Sequence, residues 1–268
     1  MHSAPHVPLF WEDSKTWIPT LEIVLPDIFN DEVTRRLVLD PPEYITTDDL
    51  QWLADLLPQH LSDAYNLRNE VLKSLRSHFT HLVAYHGCRP LDFNSYKERG
   101  IVPLDPAAAK RELLQRICEA DVSGPTKEQL LLACKSTDAS YREGRVFFEA
   151  SRRLLLDFCG HYLLYGSEYA VGILRSISST KDYAQILKLQ GQPTLLTCEV
   201  PISWLKHATQ EELAGSLIGA YFSEKLTPDY VHPSNGMGFG FEIFRSLPPA
   251  LIVQVDRLDF VRDPISGY

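Results

Sequence analysis

The chain has 268 residues, with 35 acidic against 26 basic side chains, a formal net charge of −9, and 44% apolar and 10% aromatic residues. This is a globular composition with ample material for a core, and it excludes disordered, collagen-like and low-complexity classes. The acidic excess and the dispersal of Lys and Arg argue against unspecific polyanion binding, which needs clustered cations; a local basic groove is still compatible with it.

Residues 1–11 carry no basic start followed by an apolar run, and no stretch of about 18 consecutive apolar residues occurs. The expectation is a cytoplasmic chain with no membrane partner. Cys88, Cys118, Cys134, Cys159 and Cys198 are odd in number, widely spaced and free of any C-x-x-C pair, so they read as thiols, with neither a disulfide framework nor a metal site.

In chain order, a short strand is expected at residues 21–25, closed by Pro26. Thr46, Thr47 and Asp48 offer N-cap oxygens, with Asp49 at capping-box distance from Thr46. Two helices follow, one carrying Leu50, Leu53, Leu56 and Leu57, the other Ala64, Leu67, Val71, Leu75 and Phe79 at three- and four-residue intervals. Residues 1–80 thus form a mainly helical N-terminal extension. Residues 81–85 are a β-rich run ended by Gly87 and Pro90, and a helical turn at 93–99 is closed by Gly100. Helices are expected over 107–120 and 126–141, a strand over 145–150, then a helical region to 177 broken at Gly160 and Gly166. A helix near 182–189, a strand over 194–200, a helix over 210–222 and strands over 240–244 and 251–255 complete the chain. The class is α+β, with an antiparallel or mixed sheet, helical insertions and C-terminal strands.

Three places can carry chemistry. Tyr85-His86-Gly87 ends a strand, where a histidine can hold a hydroxyl and a glycine lets backbone groups approach a planar amide. A lone His-Gly is more often structural. Gly160 to Tyr169 contains Tyr162, Tyr165 and Tyr169, rings that can stack on an aromatic ligand, although aromatics at helical spacing usually pack a core. Glu242 stands between Phe241 and Ile243, a costly position for a carboxylate unless a cation or donor meets it; Glu149, Glu168 and Glu199 compete with it on the same ground.

Taken in order, these motifs resemble those of the ADP-ribosyltransferase fold family, in the His-Tyr-Glu branch of diphtheria-toxin-like enzymes and poly-ADP-ribose polymerases. Tyr85-His86-Gly87-Cys88 is similar to that family's first-strand Tyr-His-Gly-Thr, and Gly100-Ile101-Val102-Pro103 to its Gly-Leu/Ile-x-Pro continuation. Gly144 to Ser151 is similar to the second motif, a glycine-led strand followed by a serine and a helix with the stacking tyrosine. Phe241-Glu242-Ile243 is similar to the third. The resemblance covers roughly residues 81–264 and implies an ADP-ribosyltransferase-like catalytic domain over 81–268. Cys88 replaces the usual threonine.

The resemblance implies an enzyme whose substrate is NAD, bound bent and cleaved between nicotinamide and ribose, with no metal. It gives Glu242 the oxocarbenium-like ribose and its 2′-hydroxyl, His86 the adenosine-side ribose and Gly87 the carboxamide. Tyr162, or alternatively Tyr165, stacks on nicotinamide beside Tyr85, Ser151 supports Glu242, and Arg89 meets the pyrophosphate. The expected activity is mono-ADP-ribosyl transfer to a macromolecule, protein slightly favoured over nucleic acid. The alternatives are an NAD glycohydrolase, a catalytically silent nucleotide- or partner-binding module on the same fold and, less in keeping with the acidic charge, an RNA 2′-phosphotransferase. Toxin, effector and housekeeping roles are not separable from these residues.

Overall fold

The computed structural model describes residues 7–120, 122–226 and 238–264. The extreme ends of both expected domains lie outside these. Eleven α-helices and six strands are described, and the fold is α+β as expected. The strands are β1 (Pro8–Leu9), β2 (His81–Cys88), β3 (Val146–Glu149), β4 (Thr194–Pro201), β5 (Gly240–Ile243) and β6 (Ile252–Arg257). They form one sheet in the order β5-β3-β2-β4-β6, with β1 parallel to the start of β2 through Pro8↔His81 and Leu9↔Leu82. β4 and β6 run antiparallel from Thr194↔Arg257 to Cys198↔Ile252, with a register shift between Thr197 and Cys198.

Two compact units emerge. One holds Met1–Ala84, Glu149–Arg152 and Glu199–Phe241; the other holds Tyr85–Phe148, Arg153–Cys198 and Glu242–Tyr268. The division departs from a cut after residue 80, because residues 199–241 cluster with the N-terminal segment.

In the first unit, helices α1 (Ser14–Val24), α2 (Asp31–Leu39), α3 (Gln51–Ala54), α4 (Ala64–His78) and α11 (His207–Leu226) are described. Helix α1 replaces the strand expected at residues 21–25: Trp17, Ile18 and Leu21 share one helical face and are buried together, and this outweighs Pro19 and the β-branched Ile23 and Val24. The N-cap of α3 is Leu50; the preceding Asp49 accepts the Gln51 N–H through Oδ1 at 3.0 Å, while the Thr46 hydroxyl donates to the Asp49 carbonyl, so the expected capping box does not form. Helix α4 follows its predicted periodicity and packs on α11. Phe29 meets Tyr221 edge-on at 4.7 Å and Phe222 at 5.9 Å, and Trp52 meets Phe222 at 5.8 Å. Gly215 of α11 is obligatory, since a Cβ there would stand 2.2 Å from the Thr47 carbonyl oxygen.

In the second unit, α5 (Asn94–Arg99) ends at Gly100 with φ 72°, and helices α6 (Pro106–Glu119), α7 (Lys127–Ser136), α8 (Arg152–Asp157, from its second residue), α9 (His161–Tyr165) and α10 (Glu168–Arg175) follow. Thr126 and Gln129 close a capping box on α7. The segment Tyr183–Leu189 is a 3₁₀ helix capped by Asp182, tighter than the α-helix expected. Leu113, Ile117, Leu130, Tyr165, Ile173, Leu174 and Leu187 belong to its helical core. Among the described residues no helix is long and apolar enough to cross a membrane.

Candidate functional site

Strand β2 delivers Tyr85, His86 and Gly87 in its second half. The Tyr85 ring is half-buried against the cluster of Leu155, Leu163 and Leu195. His86 Nδ1 lies 2.9 Å from the Phe147 carbonyl oxygen on the neighbouring β3. A carbonyl only accepts, so Nδ1 carries the hydrogen and Nε2 of the neutral ring is left as an acceptor. Burial lowers the His86 pKa from its ordinary 6.5 and so favours the neutral ring, against the opposing effect of the Phe147 bond.

Gly87 is buried because helices α8 and α9 close over it. A Cβ there would stand 3.1 Å from Tyr162 Cβ and 3.3 Å from Leu155 Cδ2 and Leu163 Cγ. The absence of a side chain therefore brings Tyr162 onto the strand that carries His86. The next residue, Cys88, is buried and its Sγ donates to the Thr194 carbonyl at 3.4 Å. Burial pushes this thiol up to about 12, so it acts as a neutral hydrogen donor.

Tyr162 is held by the start of α10. Glu168 accepts from His161 Nε2 at 2.7 Å and from the Arg142 guanidinium, and its carboxylate acts on the Tyr162 phenol. The His161 bond first, and Arg142 after it, hold the Glu168 carboxyl down to about 2 against its own burial. Burial and the Glu168 anion raise the Tyr162 phenol above its ordinary value, so it stays a neutral donor tied to Glu168. The His161 and Tyr162 rings are 4.2 Å apart. The position of Glu168 in the first turn of α10, behind the Ser167 cap, adds the helix dipole to its stabilisation.

Tyr165, the alternative stacking ring, lies inside the core. It is 0% exposed, its hydroxyl donates to Asp263 Oδ2 at 3.2 Å and accepts from Gln185 Nε2 at 3.2 Å, and it belongs to the helical core. Of the two candidates, Tyr162 alone keeps a partly exposed ring. Arg89 has other employment than a phosphate: Nε donates to the Gln190 carbonyl at 2.8 Å, Nη1 to Leu163 O at 3.5 Å and Nη2 to Lys188 O. These bonds tie the exit of β2 to the 3₁₀ segment.

Ser151 and Glu149 belong to the first unit. Ser151 is fully buried, and its hydroxyl donates to Glu12 Oε1 at 2.9 Å. Glu149 Oε1 accepts the N–H groups of Ser151 at 3.0 Å and Phe239 at 2.9 Å. Burial raises the Glu149 carboxyl above its ordinary 4.5, the N–H bonds lower it and the Glu12 charge raises it further. The serine of the second motif thus works with Glu12 and Glu149, which ties the turn after β3 to the approach of β5.

Glu242 sits at the centre of β5, partly buried with 24% of its side chain exposed, between buried Phe241 and Ile243, so strand alternation turns it away from their face. Its Oε1 is 3.5 Å from Arg145 Nη1. The Arg145 guanidinium contacts the rings of Tyr141, at 5.1 Å, and Phe244, at 5.3 Å, and the Tyr141 ring stacks on Phe147.

Tyr162 therefore packs on Gly87, the strand neighbour of His86, while His86 is bonded to β3. Glu242 lies on β5, the other neighbour of β3, so at about 4.8 Å per strand the two motif strands are about 10 Å apart. Sequence reasoning named Glu168 only as a rival of Glu242 and overlooked its partners His161 and Arg142, as well as Arg145 with Tyr141. The one local signal for Arg145 is that it immediately precedes β3. No protein-family model, curated protein or solved structure matches this chain. Among the described residues no group of three His, Cys, Asp or Glu side chains is placed to hold a metal ion.

Proposed function

We propose that the chain is an NAD-consuming mono-ADP-ribosyltransferase with an ADP-ribosyltransferase-like sheet. The observation that carries this reading is the strand order: the glutamate strand β5 and the histidine strand β2 flank β3, and the tyrosine packs on the glycine beside the histidine. The order of three motifs along the chain thereby acquires a spatial counterpart, with about 10 Å between the glutamate and histidine strands. That span suits a nicotinamide riboside unit.

In this reading the C1′–N bond of the nicotinamide riboside breaks, and its electron pair leaves with nicotinamide. Glu242 stabilises the positive charge that develops on the ribose and accepts a hydrogen bond from its 2′-hydroxyl. His86 Nε2, kept as an acceptor by the Phe147 bond, takes a hydroxyl hydrogen of the adenosine-side ribose. Backbone groups of Gly87 hold the carboxamide. Tyr162, with its phenol tied to Glu168, offers its ring as a flat surface to nicotinamide. An acceptor nucleophile then bonds to C1′ and loses its proton.

The acidic net charge favours a protein acceptor. Incubation of the purified chain with NAD labelled in the adenylate and with cell lysate tests this, each sample being digested separately with protease and with nuclease. Label removed by protease is the expected result, and label removed by nuclease reassigns the acceptor. Free ADP-ribose with no labelled macromolecule makes water the acceptor, as in an NAD glycohydrolase.

A further inference from the structure

The proposed site needs a cation for the two phosphates of its dinucleotide, and the arginine that follows the first motif does not offer one. Arg89 donates through Nε, Nη1 and Nη2 to three main-chain carbonyls. Arg142 is committed to Glu168. Arg145 stands differently. Its Nη1 reaches Glu242 only at 3.5 Å, its Nε is buried with no hydrogen-bond partner among the described residues, and the side chain is 25% exposed.

We propose that Arg145 is the arginine that binds the diphosphate of the ligand, with Nη1 beside Glu242 and the solvent-facing part of its guanidinium on phosphate oxygens. This rests on the NAD-cleaving reading above. The chemistry is that of a preorganised fork. The Tyr141 and Phe244 rings both contact the guanidinium, at 5.1 and 5.3 Å, so less side-chain freedom is lost when an oxyanion docks. In a dinucleotide the diphosphate is attached to the 5′ carbon of the ribose that Glu242 holds. A guanidinium beside Glu242 is therefore within one sugar's length of the phosphate, and it offsets the repulsion between Glu242 and that anion.

Binding of ADP-ribose and of adenosine to the full chain, measured by calorimetry, tests the assignment. Arg145→Gln is expected to lose about tenfold or more in ADP-ribose affinity, the worth of a charge-assisted bond, and to bind adenosine as the wild type does. Arg145→Lys, which keeps the charge without the planar fork, is expected to fall between them. A thermal melt of each variant confirms folding. Unchanged ADP-ribose affinity in a folded Arg145→Gln overturns this assignment and leaves the NAD-cleaving reading standing. Absence of ADP-ribose and NAD binding by the wild type overturns both.

Discussion

Gly87→Ala perturbs the contact that seats Tyr162 on β2. The φ of Gly87 is not positive, so alanine fits the backbone, and the effect comes from the added methyl alone. That methyl meets Tyr162 Cβ at 3.1 Å and Leu155 Cδ2 and Leu163 Cγ at 3.3 Å, each a few tenths of an ångström too close. Overpacking of this kind costs about 1–3 kcal/mol. Removing a glycine's excess unfolded-state freedom returns about 0.5–1 kcal/mol, which leaves a net loss of about 1 kcal/mol. Because α8 and α9 must retreat from β2, Tyr162 moves with them, and nicotinamide release should fall by more than the stability loss accounts for. Urea unfolding followed by circular dichroism, with NAD cleavage assayed on folded protein, reads both effects. Leu155→Ala should reduce the cost of Gly87→Ala, since it removes one of the three crowded atoms. A Gly87→Ala protein as stable and as active as the wild type refutes the close approach and the role given to Tyr162.

Glu149→Gln keeps an oxygen for the N–H groups of Ser151 and Phe239 and removes a charge that burial disfavours and Glu12 repels, so it should stabilise by about 1 kcal/mol near pH 7. The raised carboxyl makes the native state bind more protons than the unfolded chain above 4.5, so wild-type stability falls as pH rises there, and the gap between variant and wild type narrows on acidification; urea midpoints at about pH 7 and about pH 5 check this. Glu168→Ala should cost about 1.5–3 kcal/mol near neutrality by releasing His161, Arg142 and Tyr162 together. The contribution of this depressed carboxyl is full above its ordinary 4.5 and fades as pH falls towards about 2, so the cost shrinks in that window in the same unfolding assay. Tyr165→Phe loses the bonds to Asp263 and Gln185 and should lower stability by about 1–2 kcal/mol while leaving NAD cleavage per folded molecule intact; Tyr162→Ala, compared in the cleavage assay, should show the reverse balance.

Strands β2, β4, β5 and β6 and helices α4, α6, α7 and α11 were legible because each is a local pattern: an apolar or β-branched run bounded by Gly or Pro, or an apolar stripe at helical spacing. Helix α1 was not, since Leu21 to Val24 read equally as a strand and only burial of Trp17 with Leu21 settles the period. The site followed the same rule. Glu242 and His86 could be picked out from their strand positions, whereas the choice between Tyr162 and Tyr165 depends on Asp263, far along the chain. Likewise, what Arg89 meets is fixed by the carbonyls of Lys188 and Gln190, and what Ser151 meets by Glu12, none of which is a neighbour in sequence.

The central claim is that Glu242 drives departure of nicotinamide from a ligand set by His86 and Tyr162. Its most direct test is nicotinamide released from NAD by the wild type and by Glu242→Gln, a nearly isosteric change at a partly buried position. The account predicts measurable release by the wild type and a loss of at least about a hundredfold in a folded Glu242→Gln protein. Equal release by the two proteins, or none by the wild type with or without lysate, contradicts it.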